Sequence, residues 1–195
     1  MFRYVRDRVR GVDSYVNRTE LAPFRSTDCD NEPMNDLEQH VIAAASAAGT
    51  FERVECDPEL ADTAAFCAHY GFLPSNSANT IVVASKTDEP LYAACVVLAT
   101  HRLDVNGTVR RRLGARKVSF AAPEATAAVT GMVMGGVTPF GLPLNLPLWI
   151  DAEVAERTEL IVGGGSRSLK LLVPPATLLA LPNAEIVEGL ARPIE

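Results

Sequence analysis

The chain has 195 residues, of which 48% are hydrophobic and 22% are charged, a composition typical of one folded domain with room for a short appendage. Its formal net charge of -6 argues against sequence-independent coating of nucleic acid. The longest apolar run, residues 91–99, is too short to span a membrane, which excludes an integral membrane protein. The four cysteines are scattered without paired spacing, so we expect reduced thiols and a cytoplasmic location.

The amino-terminal segment differs in charge from the rest of the chain. Its first 25 residues hold six arginines against three acidic residues, a balance of +3 that leaves -9 elsewhere. Apolar residues recur at helical spacing from Phe2 to Val16, which predicts an amphipathic basic helix. This helix could pack on the domain, touch RNA, or direct the chain to an organelle. We therefore divide the chain into a basic extension and connector, residues 1–35, and a domain, residues 36–195.

Two helices are predicted at the start of the domain. Asn35 and Glu38 form a capping-box pattern before an alanine-rich run, and Gly49 is placed to end that helix in a left-handed conformation. Asp57 is the predicted cap of a second helix, which Gly71 ends.

A hairpin is predicted next, and the sheet is expected to begin with it. Its strands cover residues 80–84 and 91–99, on either side of the polar turn SKTDEP. The elements predicted after it are a short basic helix ending at Gly114, a strand over 117–120, a helix over 123–130, strands over 146–150, 159–162 and 168–173, and a last short helix opened by Pro174 and Pro175. Strands joined by both hairpins and helices predict an α+β fold with a mixed, mostly antiparallel sheet.

Common cofactor and metal patterns do not fit this sequence. The glycine cluster at residues 163–168 runs into a predicted strand, so it indicates a tight turn and not a phosphate-binding loop or a nucleophile elbow. His40, His69 and His101 are isolated from one another and from the cysteines. We expect no metal and no cofactor, and we expect His40 and His69 at or near the surface.

Residues 130–150 are the most informative segment. They contain four glycines and three prolines, and the residues between them are apolar. A flexible linker is polar, so this composition favours a loop that wraps a ligand and brings backbone amides close to it. A rigid loop that covers the core is the alternative. The candidate pocket walls, which core packing would explain equally well, are Met132, Met134, Val137, Phe140 and Leu142.

This segment is where the sequence resembles a known family. Residues 114–151, the strand-turn-strand of residues 158–173 and the following PPATLLAL are similar to the YbaK/ProX-like family, the prolyl-tRNA editing-domain superfamily. The resemblance covers residues 36–183 and is most specific at Gly135 to Pro139, which match the family's Gly-x-x-x-Pro loop. It implies a curved sheet flanked by helices and a trans-editing deacylase, which removes a small amino acid such as Ala or Cys from a mischarged tRNA such as tRNA(Pro).

The resemblance implies catalysis by backbone groups. The N–H groups of the four loop residues would stabilise the oxyanion that forms when water attacks the ester. Those four residues are Gly135, Gly136, Val137 and Thr138. Substrate-binding positions carried over from the family are Thr80, His101, Arg102, Met134, Pro139, Phe140, Gly141 and Arg167.

Two positions depart from the family. The family has a lysine just before the threonine of the first strand, and this chain has Asn79 at that position. By its place in the sequence, none of the chain's lysines is a direct substitute: Lys86, Lys117 and Lys170. Ser168 replaces the family's glycine after the turn arginine. Asn79 therefore keeps two alternatives open: a module that binds tRNA or aminoacyl-adenosine without hydrolysis, and a hydrolase of another aminoacyl ester.

The expected partner is tRNA. Candidate contacts to its phosphates are Arg110, Arg111, Arg112, Arg116 and Lys117, although a solvated helix face would have the same composition. An aminoacyl-tRNA synthetase is a second candidate partner, and no membrane partner is expected. The oligomeric state is not indicated by the sequence.

Overall fold

The computed structural model describes residues 35–194, which all belong to one unit of the chain, Met34–Glu195. The predicted basic helix, the connector before position 35 and Cys29 lie outside the described residues. Among residues 35–194, no helix is long and apolar enough to cross a membrane. The same residues contain no group of three or more His, Cys, Asp or Glu side chains that could hold a metal ion.

The helices are short and are spread along the chain. They are α1 (Asp36–Ala48), α2 (Thr63–Tyr70), α3 (Arg110–Arg112), α4 (Pro123–Thr130), α5 (Ala152–Ala155) and α6 (Pro175–Leu179). Single turns of 3-10 helix cover Pro58–Leu60 and Pro74–Asn76, and a π-helical turn covers Val105–Val109.

The strands are β1 (Glu52–Glu55), β2 (Ala78–Ser85), β3 (Tyr92–Leu98), β4 (His101–Leu103), β5 (Val118–Phe120), β6 (Leu148–Asp151), β7 (Leu160–Gly163), β8 (Leu169–Val173), β9 (Ala184–Val187) and β10 (Ala191–Pro193). In the described part of the chain they form a five-stranded sheet ordered β5-β2-β3-β6-β9, a three-stranded sheet ordered β1-β8-β7 and the pair β10-β4. Only β3–β6 and β6–β9 are parallel pairs there, so the predicted α+β fold with mostly antiparallel pairing is confirmed.

Successive side chains of a strand point to opposite faces of its sheet, and both faces of the five-stranded and three-stranded sheets are buried. One face of each sheet contributes to the main core, where Val96 and Ile150 pack with Leu171. On the outer face of the five-stranded sheet, Trp149 belongs to a second buried cluster that includes Val109 and Leu190. The outer face of the three-stranded sheet is buried by α2, which lays Phe66 against it.

The start of the sheet was predicted wrongly. The first described strand is β1, whose four residues pair antiparallel with β8. Its sequence ERVE contains one apolar residue, because an edge strand needs little apolar surface, and the hydrophobic pattern therefore missed it. The predicted hairpin of β2 and β3 is confirmed, with Ala78 opposite Leu98 and Ala84 opposite Tyr92.

Two predicted helix ends also differ. Gly49 follows α1 in an extended conformation with φ 162° instead of a left-handed one, and a Cβ there would lie 2.7 Å from Thr177 Oγ1. Asp57 caps only one 3-10 turn, and α2 begins six residues later at Thr63. Gly71 ends α2 as predicted, and it does so in the left-handed conformation, with φ 74°.

Candidate active site

A small cavity lies where the start of β2 meets α2 and the β7–β8 hairpin. Its volume is about 20 Å³, which fits one water molecule or one oxygen-sized group. The polar side chains around it come from Thr63 of α2, Ser77 just before β2, Asn79 of β2 and Lys170 of β8. The elements that build it are joined by a parallel bridge between Ser77 and Ile161.

Asn79 is held in this cavity by a neighbour on α2. Thr63 Oγ1 donates a hydrogen bond of 2.7 Å to Asn79 Oδ1. This bond occupies the amide's acceptor and leaves Asn79 Nδ2 as a donor. Next to it, Ser77 Oγ lies 3.1 Å from Cys67 Sγ.

Lys170 shares the cavity with Asn79, although sequence order gave no reason to connect the two positions. It lies in β8, all five residues of which are buried, and is 7% exposed. Its Nζ donates to Ala61 O at 2.8 Å and to Gly135 O at 3.1 Å. A lysine inside the apolar run LKLLV was the signal for this residue in the sequence, but only the strand pairing shows which face it occupies.

The glycine loop packs directly on the β7–β8 hairpin. Gly165 N donates to Gly136 O at 2.8 Å. A Cβ at Gly136 would lie 2.7 Å from the backbone of Ser166, and a Cβ at Gly135 would lie 2.5 Å from Arg167 Nη1. The close approach of loop and hairpin therefore requires glycine at Gly136, and the left-handed φ of 89° favours glycine at Gly135. The predicted tight turn at residues 163–168 is this hairpin.

Two of the four predicted backbone donors are occupied within the loop. Gly136 N donates to Val133 O at 3.0 Å, and Thr138 N lies 3.4 Å from Met132 Sδ. The N–H groups of Gly135 and Val137 have no acceptor among residues 35–194. Because a trans peptide places N–H opposite C=O, the Val137 N–H points away from the hairpin that binds Gly136 O.

The predicted pocket walls divide between core and surface. Met132, Phe140 and Leu142 are buried in the main core. These three residues therefore agree with the alternative prediction, that the loop covers the core. Met134 is 57% exposed. Val137 is partly buried against the same core.

The other loop and strand positions carried over from the family have these surroundings. Pro139 is buried in the loop. The hydroxyls of Thr80 and Thr138 are buried without a hydrogen-bond partner in the described part of the chain. Gly141 O lies 3.2 Å from Nε2 of His40, which is on the surface.

Arg167 is the one predicted basic residue that the structure brings to the glycine loop. Its Nε donates to Pro58 O at 2.9 Å, and its guanidinium lies beside Gly135. His101 and Arg102 lie on β4 and are not among the residues that line the cavity. His101 Nε2 is 3.2 Å from Glu153 Oε2 at an angle unsuited to a hydrogen bond. Arg102 lines a separate cleft of about 490 Å³.

The candidate tRNA contacts differ in how free they are. Arg112 forms an ion pair with Glu185 and its guanidinium lies 5.0 Å from the centre of the Trp149 ring. Arg111 donates to Thr108 Oγ1 at 3.0 Å. The remaining candidates are exposed: Arg110, Arg116 and Lys117.

Comparison with known proteins agrees with this architecture. The family model of the aminoacyl-tRNA editing domain matches residues 57–181, well over half of the chain. The chain belongs to this family. The resemblance read from the glycine loop and the flanking strands is thereby confirmed.

Relatives of this editing domain are distant in sequence. EbsC of Enterococcus faecalis, named as a candidate Cys-tRNA(Pro)/Cys-tRNA(Cys) deacylase, is 26% identical over 109 residues, which are 56% of this chain and 65% of EbsC. The match thus spans slightly less than two thirds of that relative.

Two solved structures show the same fold. A candidate trans-editing enzyme for prolyl-tRNA synthetase has a TM-score of 0.68 and 23% identity, covering 80% of this chain and 98% of its own. The hypothetical protein APE2540 has a TM-score of 0.69 and 23% identity, covering 78% of this chain and 99% of its own.

Proposed function

We propose that this chain is a deacylase that hydrolyses the ester of mischarged aminoacyl-tRNA. The observation that carries the proposal is the extent of the family match: residues 57–181 include every residue that lines the cavity and the whole glycine loop. The reaction adds water across one ester bond. The products are a free amino acid and a tRNA with an intact terminal hydroxyl.

The chemistry asked of the protein is modest, because an aminoacyl ester is already activated toward water. The site has to hold the ester beside a water molecule and stabilise the negative charge that develops on the carbonyl oxygen. The unoccupied N–H groups of Gly135 and Val137 are the loop donors available to hold the substrate in position. A hydroxyl of the substrate next to the ester would assist, as the resemblance implies.

We further propose that the substrate carries a small amino acid, such as Ala or Cys, on a tRNA such as tRNA(Pro). The names of EbsC and of the trans-editing structure support the tRNA and the amino acid. Selection of a small amino acid would be steric, because a larger side chain overlaps the wall of a small pocket. Steric exclusion of this kind separates substrates by only about 1–3 kcal/mol per methylene, so the enzyme would complement a synthetase.

Exposed arginines would supply the contact to tRNA. Arg110 and Arg116 are free to reach phosphates, whereas Arg112 is held by Glu185 and Trp149. A prolyl-tRNA synthetase that presents the mischarged substrate is the second partner we propose. We propose that the reaction takes place in the cytoplasm, where such a substrate is present.

The test is single-turnover deacylation of Ala-tRNA(Pro) and Cys-tRNA(Pro), with Pro-tRNA(Pro) and Ala-tRNA(Ala) as controls. We expect hydrolysis of a mischarged tRNA and protection of the correctly charged ones. Tight binding of a non-hydrolysable alanylamino-adenosine without any turnover would support the binding module instead. Turnover of small aminoacyl esters but of no aminoacyl-tRNA would support a different ester hydrolase.

A further inference from the structure

Lys170 is a buried charge that forms no ion pair with a buried carboxylate in the described part of the chain. It is the polar residue of a fully buried strand, and its Nζ lies 5.7 Å from the centre of the Phe66 ring. Among residues 35–194, no carboxylate lies within ion-pair distance of that nitrogen. Burying an ammonium in this way costs stability, and an apolar side chain at the position would avoid the cost. A charge kept under these conditions indicates a role other than packing.

The hydrogen bonds of Lys170 leave one donor for the cavity. An ammonium has three N–H groups, and two of them go to the carbonyls of Ala61 and Gly135. Ala61 lies just before α2 and Gly135 lies in the glycine loop, so Lys170 ties these two segments together beside the cavity that it lines. The third N–H is available to a group that enters the cavity.

Asn79 adds a second donor to the same space. Its Oδ1 is taken by Thr63, so its Nδ2 is the part of the amide that can bind a ligand. A charged donor and a neutral donor thus share a cavity of about 20 Å³. Two donors in a space of this size fit a single oxygen atom that carries, or gains, negative charge.

We propose that Lys170, together with the Asn79 amide, binds the ester carbonyl oxygen of the substrate and stabilises the charge this oxygen gains when water attacks. The cation that the resemblance implies at position 79 is then supplied from β8, which also lines the cavity. This inference rests on the proposed deacylation. It assigns a contact to substrate that neither the family match nor the sequence assigns to Lys170.

The surroundings of Lys170 also set a pH limit. Burial lowers the pKa of Lys170 from its ordinary value of 10.5, and the nearby Arg167 guanidinium lowers it further. Cys56, Asp62 and Cys67 act in the opposite direction but do not reverse the shift. Activity that needs the ammonium is present below this lowered pKa and is lost as pH rises through it.

The experiment compares wild type with Lys170→Met, Lys170→Arg and the double variant Asn79→Lys/Lys170→Met. Lys86→Met is the matched control, because Lys86 is exposed and lies away from the cavity. Each protein is assayed for single-turnover deacylation of the tRNA that wild type hydrolyses. Its affinity for 3′-alanylamino-3′-deoxyadenosine, whose amide carbonyl mimics the ester, is measured in parallel, and urea unfolding gives its stability.

We expect Lys170→Met to slow hydrolysis by about 100- to 1000-fold, the loss typical of one oxyanion donor. We expect a smaller loss of affinity for the amide, about 10-fold, because the charge develops only in the reaction. Moving the ammonium to position 79 in the double variant should recover at least 10-fold in rate. Lys86→Met should match wild type throughout.

A folded Lys170→Met protein with the rate and affinity of wild type would overturn the inference. If that variant is unfolded, the pH profiles of wild type and Lys170→Arg are compared instead. The loss of activity at alkaline pH should move to higher pH in Lys170→Arg if the charge contacts the substrate. A loss at the same pH in both proteins would mean that Lys170 only ties the loops, and would overturn the inference. If wild type hydrolyses no aminoacyl-tRNA, deacylation fails as the proposed function. The amide affinity then decides the fate of Lys170 by itself, and equal affinity in wild type and Lys170→Met overturns its role.

Discussion

Replacing Gly136 with alanine tests the close contact between the glycine loop and the β7–β8 hairpin. The added Cβ would lie 2.7 Å from Ser166 C and O and 2.8 Å from Gly165 O. All three are backbone atoms, which cannot turn aside as a side chain can, so the loop has to move. Overpacking of this kind costs about 1–3 kcal/mol, and loss of the hydrogen bond from Gly165 N to Gly136 O adds about 1 kcal/mol. We expect a loss of about 2–4 kcal/mol in the free energy of unfolding.

The same movement displaces the Val137 N–H, so deacylation should fall by about 100-fold or more at a temperature where the variant is folded. Gly131→Ala is the matched control: Gly131 ends α4 with φ 73° and has nothing within 4 Å of an added Cβ. Its left-handed backbone alone should cost about 1 kcal/mol, with little effect on the rate. Urea unfolding followed by circular dichroism measures both stabilities. If Gly136→Ala were as stable and as active as Gly131→Ala, the reasoning from close approach would be refuted.

Three further predictions concern surface charge, a thiol and a carboxylate. Arg110→Ala and Arg116→Ala should each weaken tRNA binding severalfold and lower the slope of log affinity against log salt by about 1, whereas equal slopes would remove these residues from the interface. Burial raises the pKa of the Cys95 thiol to about 12, so this cysteine should resist Ellman's reagent at pH 8 in folded protein and react in urea, as peptide mapping would show. The Thr108 backbone N–H is the main cause that lowers the pKa of Asp104 below 3.8. The free energy of unfolding should therefore be lower in Asp104→Ala than in wild type above about pH 4, and this difference should shrink as pH falls through the lowered pKa. A difference that does not change with pH would contradict this cause.

Elements bounded by clear end signals were predictable from the sequence. Pro123 and Gly131 bracket α4 as predicted, because proline fits the first turn and glycine the left-handed residue that follows. In addition to β1, the sequence did not predict the strands β4, β9 and β10. These are three or four residues long, and their hydrogen bonds depend on partners far along the chain. Local pattern carries no information about such pairing.

The candidate site was predictable only in part. The glycine loop was found because its apolar spacers distinguish it from a linker. The relation between Asn79 and Lys170 was not found, because it depends on which face of β8 the lysine occupies and on how the hairpin meets the start of β2. Likewise, the placement of Arg102 in another cleft follows from the pairing of β4 with β10, which no local feature of the sequence indicates.

The pairing of β1 with β8 has a consequence for how the domain forms during synthesis. Glu52 lies opposite Leu172, so β1 has to wait for more than half of the chain to be made before its partner exists. The cavity also forms late, because Thr63 and Asn79 come from the first half of the chain and Lys170 from the second. Contacts this distant along the chain slow folding and leave apolar surfaces such as that of α2 open on the ribosome. A nascent chain that stops short of β8 would therefore carry the glycine loop but no assembled site.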